Sequence, residues 1–586
     1  MELLAEARRL GIEVEYVDAR GRHRQVPGDT IARIAEALRA ATADRAVSTL
    51  PPAFARKAYQ GPPGQWWLLA TQLYAVRSRR NWGIGDFADL RTLIELAAAH
   101  GAAGVGINPL HALFDETPAQ ASPYSPNSRL FLNPLYIAVD EIPEFADSPP
   151  PDIADAAARL RQAELVDYAG VAALKQRCLR AAYRAFVARA TPQRRKDFAD
   201  FLRSRAPDLT RFACFETLRA RLSGPWWQWP SEWRSPDARA LVTLRREAGE
   251  EIEYCEFLQW VADRQLKTCR DRARALGLPI GLYLDVAVGV RPDGFDAWNA
   301  PNAIMRTLAI GAPPDLMNTA GQNWGLAGFS GVGLQARGFA PYRAMLRAVM
   351  RYAGAIRLDH VLGLKRLYVI PAGMPASGGA YVRLPFEEML SIAAEESVKN
   401  RCIVIGEDLG TVPDGFRAQL AQWGLWSYQV MLFERDATSA FHPPAHYAEQ
   451  ALATFSTHDL PTFAGWIDRR DLNTKLALGL DPGETARERA SAVARLRRAL
   501  ALAPSQPLEF LGVVRFLAAS RARMLVISLD DALDVHDQTN VPGTVDQHPN
   551  WRRKLPLELE DIADDDRLQA IAHIAARSGR STAQKA

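Results

Sequence analysis

Four acidic side chains stand where apolar runs end: Asp285 in LYLDVAV, Asp359 in IRLDH, Glu407 in IVIGEDLG and Asp459 in FSTHDL. An ionised carboxylate costs several kcal/mol to desolvate unless it is paired, so each needs a reason to be there. For any single one, a salt bridge or a helix cap is reason enough, and Asp408 beside Glu407 reads as a cap. Four such acids, each on its own run, argue for chemistry. Arg357 lies two residues before Asp359, and on a strand i and i+2 share a face. A guanidinium there favours the charged carboxylate, so Asp359 is expected to stay low, as a nucleophile must. A general acid needs the opposite environment, and Glu407 is expected to be raised. His458 precedes Asp459 and is placed either to donate to a substrate hydroxyl or to pack. Two carboxylates of opposite environment with a third in support suit glycoside chemistry.

Competing chemistries find less support. Clustered acids that hold metals usually come with several His or in DxD clusters; here single histidines stand beside Asp359 and Asp459, and no DxD occurs at these positions. The ten histidines form no HExxH pair. No GxxxxGK[ST] loop or strand–GxGxxG–helix unit is present, and WGIGDF reads as a tight turn. No metal or organic cofactor is expected.

The acids need a frame. Eight short apolar runs are strand candidates: 66–76, 103–110, 278–290, 354–363, 401–410, 428–434, 452–460 and 524–531. Continuous apolar runs indicate strands buried on both faces, and helical patterns separate them. The economical closed solution is an α/β fold, the (β/α)₈ TIM barrel, whose strand C-termini carry the chemistry. Residues 1–60 read as a short helical segment, with a Pro- and Gly-rich linker at 50–65. Residues 61–575 read as the barrel, interrupted by an Ala- and Arg-rich helical insertion at about 151–270. Within that insertion PWWQWPSEW is either a packed corner or a sugar-stacking platform. Residues 576–586, RSGRSTAQKA and its preceding residue, read as a disordered tail.

Composition narrows the partners. The 71 basic and 67 acidic side chains leave a net charge of +4, too balanced for a general nucleic-acid binder. No run approaches the ~18 apolar residues of a membrane span, and the charged N-terminus lacks a signal-peptide pattern. The five widely spaced cysteines form no CxxC pair, which points to a reducing cytoplasm.

The segments QLYAVRSRRNWGIGDFADL, SPYSPNSRLFLNPLYI, GAPPDLMNTAGQNWG, AIRLDHVLGLKRLYVIP, VIGEDLGTVP, FSTHDLPT and NVPGTVDQHPNWRRKL closely resemble the 4-α-glucanotransferases called amylomaltases or disproportionating enzymes, in the α-amylase superfamily. The resemblance spans about 66–140 and 250–560. It implies Asp359 as nucleophile with Arg357 as its partner, Glu407 as general acid/base and Asp459 as transition-state stabiliser. It further implies His458, Tyr124 and Asp285 at the −1 subsite, Tyr124 stacking on the sugar. Asp315, Gln322 and Trp324 are implied in a substrate-covering loop near the acceptor, and Asn540, Pro542 and Gly543 in a second loop there. Malto-oligosaccharides or α-1,4-glucans would be donors, and glucose or an oligosaccharide the acceptor. The chain departs from the long bacterial forms in a much shorter N-terminal region, and from the family in LAGFSGVGLQARGF, which replaces the usual Pro-containing stretch after GQNWG. An α-amylase-like hydrolase, a non-catalytic glucan-binding barrel and an unrelated barrel lyase are the alternatives.

Overall fold

A computed structural model describes residues 2–18, 21–41, 57–146, 152–315, 318–410 and 412–582. The eight apolar runs form eight parallel strands, β1 (Trp66–Thr71), β2 (Gly104–Ile107), β3 (Gly281–Val286), β4 (Ala355–Leu358), β5 (Ile403–Gly406), β6 (Trp426–Val430), β7 (Ala451–Thr454) and β8 (Met524–Ser528). They follow chain order around a closed barrel, with β8 paired to β1. Strands β2, β3, β4, β5 and β7 are buried along their whole length. That is why their sequences run apolar without alternation. The strands are shorter than the apolar runs because each run continues past the strand into a turn at the barrel's carboxyl end. Leu73–Ala75, for example, makes a 3₁₀ turn after β1. The sixth strand starts earlier than expected, at Trp426, and ends before Met431.

Register places the acids. Arg357 on β4 pairs with Asp285 on β3, and Leu358 pairs with Val286 on one side and Gly406 on the other. The Asp359 N–H donates to the Val286 carbonyl (3.1 Å) and the Glu407 N–H to the Leu358 carbonyl (3.0 Å). Asp359 and Glu407 therefore emerge side by side, one residue beyond adjacent strand ends.

Between β2 and β3 the chain makes a series of helices, the longest being Tyr168–Arg189 and Gly249–Ala275. The tryptophan-rich corner is packed. Trp226 and Trp229 are buried, and their indole N–H groups donate to the carbonyls of Pro292 (3.3 Å) and Gly224 (3.1 Å). The WGIGDF turn ends in Asp86, which caps the helix Phe87–Ala99 in a reciprocal capping box with Asp89.

Three features depart from the sequence reading. A four-stranded antiparallel sheet, in the order Ala380–Arg383, Arg366–Pro371, Leu308–Ala312 and Gln322–Leu326, stands outside the barrel. Its strands are split between two barrel connections, so no single stretch of chain announces the sheet. The N-terminal segment holds two helices, Glu2–Arg9 and Gly28–Ala41, but also a hairpin of Glu15–Val17 and His23–Gln25. The linker read at 50–65 lies partly outside the described residues; Ala58 already donates to the Trp423 carbonyl (2.8 Å). Finally, the expected disorder does not hold for residues 576–582. Arg580 is fully buried, and its guanidinium donates to the carbonyls of Ala518 (2.9 Å), Ala522 (2.8 Å) and Ser520 (2.7 Å). It caps the helix Phe510–Ala518, a use of arginine that composition cannot reveal. Residues 583–586 lie outside the described residues.

Candidate active site

Arg357 is the hub of the barrel mouth. One terminal nitrogen donates to both oxygens of Asp285 (2.9 Å each). The other contacts Asp359 Oδ1 (2.8 Å) and lies 3.8 Å from Glu407 Oε2. Its guanidinium sits 5.5 Å from the Tyr428 ring centroid. All four charged side chains are nearly buried, Asp359 being the most open at 17%. Glu407 is fixed independently: it accepts from the N–H groups of His360 (2.7 Å) and Leu409 (2.8 Å). His360 itself takes a left-handed backbone, φ 46°. Asp408 is not a cap; it is buried and paired with Arg417 Nε (2.8 Å).

Asp459 faces the opening, with 44% of its side chain exposed. His458 Nε2 lies 3.3 Å from its Oδ2, and Asn540 Nδ2 donates to its Oδ1 (2.6 Å). Tyr124 joins this side to Arg357: its hydroxyl donates to Asp285 Oδ2 (2.5 Å) and lies 3.3 Å from His458 Nδ1. The Tyr124 and His458 rings stack at 4.7 Å.

Burial and pairing set the charges. Burial pushes Asp359 up to about 6, because Arg357, opposing it, is also spent on Asp285, and the negative charges of Asp285 and Glu407 add to the rise. The expectation of a low Asp359 is thereby corrected: one guanidinium serves several carboxylates. Burial also raises Glu407, against Arg357 and the two backbone donors. At Asp459 burial acts upward but is outweighed by His458 and Asn540, and the carboxyl falls to about 2. His458 is held above its ordinary value: burial lowers it, and Asp459 more than compensates.

The covering residues are placed differently. Trp324 lies on the outer sheet's last strand, its ring 5.3 Å edge-on to His360, and its indole N–H donates to Gln322 Oε1 (3.2 Å). Asp315 sits in the connection of that hairpin and accepts from the Asn318 N–H (2.6 Å). Residues 326–339 return to the core through buried Phe329 and Leu334. Pro542 is half-buried and Gly543 exposed, the glycine with φ 88°. Sequence reasoning missed Trp551, whose ring is 5.3 Å from Tyr124 and 5.5 Å from His458. It also missed Tyr428 beneath Arg357. Trp551 lies within NVPGTVDQHPNWRRKL and Tyr428 opens the sixth apolar run, but neither stands beside an acid that would single it out.

Beside Tyr124, Asp285, Arg357 and His458 the barrel opens into a cleft continuous with solvent. Ala70 and Gly106 leave this space, where a barrel interior is ordinarily filled by side chains. Thr71 Oγ1, Gln72 Oε1 and the Tyr283 hydroxyl face it, buried and without a protein partner. The cleft thus offers unsatisfied polar groups together with the carboxyls of Asp285, Asp530 and Asp531. Among the described residues no cluster of His, Cys, Asp and Glu is arranged to hold a metal, and no helix is long and apolar enough to cross a membrane.

Comparison with known proteins shows the family. The glycoside hydrolase family 77 model, described as 4-alpha-glucanotransferase, matches residues 71–559. A 4-alpha-glucanotransferase of Haemophilus influenzae is 35% identical over 542 residues, 86% of this chain and 77% of that protein. One from Mycobacterium tuberculosis is 36% identical over 542 residues, 86% of this chain and 74% of that protein. The crystal structure of amylomaltase from Corynebacterium glutamicum superposes with a TM-score of 0.84 at 26% identity, covering 98% of this chain and 99% of the other. The chain belongs to the 4-alpha-glucanotransferases of glycoside hydrolase family 77, retaining enzymes that act on α-1,4-glucans.

Proposed function

We propose that Asp359 attacks the anomeric carbon of an α-1,4-linked donor while Glu407 protonates the leaving oxygen. The glucan up to that sugar becomes a covalent β-glycosyl-enzyme. Glu407, now ionised, takes the proton from the 4-hydroxyl of an acceptor, and attack re-forms an α-1,4 bond. Two inversions give retention. The observation that carries this reading is the Arg357 guanidinium. Asp359 and Glu407 lie 2.8 and 3.8 Å from one of its nitrogens. That fits the short spacing of about 5–5.5 Å used in double displacement better than the 6.5–9.5 Å that leaves room for an inverting water. Asp459, kept ionised by His458 and Asn540, offsets the positive charge that develops on the sugar.

The −1 sugar occupies the space beside Tyr124, Asp285 and His458, with the partnerless groups of Thr71, Gln72 and Tyr283 as hydroxyl contacts. Trp324, Gln322 and Asp315 on the hairpin, with Asn540, Pro542 and Gly543 opposite, form the acceptor walls. Donors are malto-oligosaccharides or longer α-1,4-glucans, and acceptors are glucose or another oligosaccharide. The five cysteines are unpaired, which suits a cytoplasmic site of action.

Maltotriose tests the assignment of donor and acceptor. Transfer exchanges one glycosidic bond for another, so glucose and longer oligomers should accumulate while total reducing ends stay nearly constant. Labelled glucose should enter the ladder at its reducing end. Reducing ends that rise in step with bonds cleaved, without products longer than the substrate, would replace transfer by hydrolysis.

A further inference from the structure

The N-terminal segment is built into the sheet that carries Trp324. Ile12 bridges Val382 as an antiparallel neighbour. The Glu13 N–H donates to the Tyr381 carbonyl (2.8 Å), and the Arg383 N–H donates to the Gly11 carbonyl (2.8 Å). Gly11 is needed for this approach: its φ is +79°, and a Cβ there would stand 3.2 Å from the Arg383 carbonyl oxygen. These residues act as a fifth strand on the sheet edge. From that edge the order runs through 380–383, 366–371 and 308–312 to 322–326, the strand of Gln322 and Trp324.

Side chains lock the junction. Glu13 accepts from Arg366 Nη1 (2.7 Å) and Arg383 Nε (3.2 Å), and its own side chain is only 14% exposed. Tyr16, from the N-terminal hairpin, meets Tyr381 at 5.5 Å and Tyr368 at 6.2 Å, both edge-on. Thr30, fully buried on the second helix, donates to the Gly378 carbonyl (3.2 Å). The far side of the sheet is equally close. Gly311 on its third strand lets Gln322 approach so nearly that a Cβ would stand 2.0 Å from the Gln322 carbonyl oxygen. A hairpin of two strands standing alone is marginal in water, and a face packed on further strands or helices makes it rigid. Trp324 in turn stands edge-on to His360 at the barrel mouth.

We propose that the N-terminal segment is a positioning element for acceptor selection: through Glu13 and Tyr16 it holds the outer sheet so that Trp324 covers the glycosyl-enzyme against water. This rests on the reading of Trp324 as an acceptor wall. The segment touches no reacting group, so its loss should leave bond cleavage intact and favour water over the sugar acceptor.

The experiment is a double-mutant cycle on the full-length chain with maltotriose as donor and labelled glucose as acceptor. It reads the transfer-to-hydrolysis ratio, the KM for glucose and the kcat for donor cleavage. Tyr16→Ala should lower the ratio severalfold and raise the KM for glucose, with kcat changed less than twofold; Tyr16→Phe should restore both. Glu13→Gln supplies a second entry if Tyr16→Ala does not fold. In a Trp324→Ala background, neither substitution should lower the ratio further. If Trp324→Ala lowers the ratio but the N-terminal variants leave it unchanged, or add to it independently, the positioning role is overturned while the acceptor-wall reading stands. If Trp324→Ala itself leaves the ratio unchanged, the acceptor-wall reading fails and takes the positioning role with it.

Discussion

Replacing Asp285 with Asn should extend activity toward acid. Asp359 must be ionised to attack, so activity falls as pH drops through its pKa, which burial places at about 6. Asp285 contributes to that rise in two ways. Its charge repels the Asp359 carboxylate, and its two oxygens occupy one end of Arg357. Asn keeps the shape and a hydrogen-bonding oxygen while deleting the charge. Unit charges roughly 6 Å apart interact by about 3 kcal/mol at an effective dielectric of 20. At 1.36 kcal/mol per pH unit this is at most ~2 units, so the acid limb should move to about 4–5. The assay is kcat/KM for maltotriose against pH, which reports the free enzyme. The limb belongs to the Asp359–Glu407 pair rather than to one residue, but deleting a neighbouring negative charge shifts both macroscopic values the same way. The maximum itself should fall, because Tyr124 loses a charged acceptor. An acid limb that stays near 6, or moves upward, would refute the shared-arginine account of Asp359.

Two further substitutions probe other parts of the account. Trp324→Ala should lower the transfer-to-hydrolysis ratio about tenfold, equivalent to ~1.4 kcal/mol in the competition between sugar and water, read from reducing ends against bonds cleaved. Arg580→Ala removes a buried charged donor from three carbonyls and should cost about 3 kcal/mol or more. Denaturant unfolding should show the loss while kcat/KM at 25 °C is unchanged; an unaltered midpoint would mean that the C-terminal segment does not cap the helix.

Much of this architecture is legible in the residues. Strands buried on both faces must be apolar throughout, and an acid ending such a run stands out, so β3, β4, β5 and the turn after β7 are visible with their carboxylates. The pairing of Arg357 with Asp359 follows from strand geometry, but its sharing with Asp285 depends on the β3–β4 register, which no local pattern encodes. Hence Asp359 reads as low from the sequence and is raised in the fold. The outer sheet was invisible because LAIGA, QNWGL, RLYVIP and AYVR are no longer than the barrel strands, carry no terminal acid and are split between two barrel connections. Trp551 and Tyr428 are aromatic residues among many, and only three-dimensional proximity to His458 and Arg357 distinguishes them. Arg580 sits in a stretch whose small polar residues look unstructured, and its three acceptors are contributed by residues 518–522.

The central claim is the division of labour between Asp359 and Glu407, and trapping the glycosyl-enzyme tests it most directly. In Glu407→Gln a donor with a good leaving group needs no acid catalysis to react, but the intermediate lacks the base that activates the acceptor. The variant, incubated with such a donor, quenched and digested, should yield one peptide heavier by the transferred sugar, with the modification on Asp359. Added azide, a nucleophile that needs no base, should release it. Modification at another carboxylate, or no covalent adduct under these conditions, would contradict the assignment.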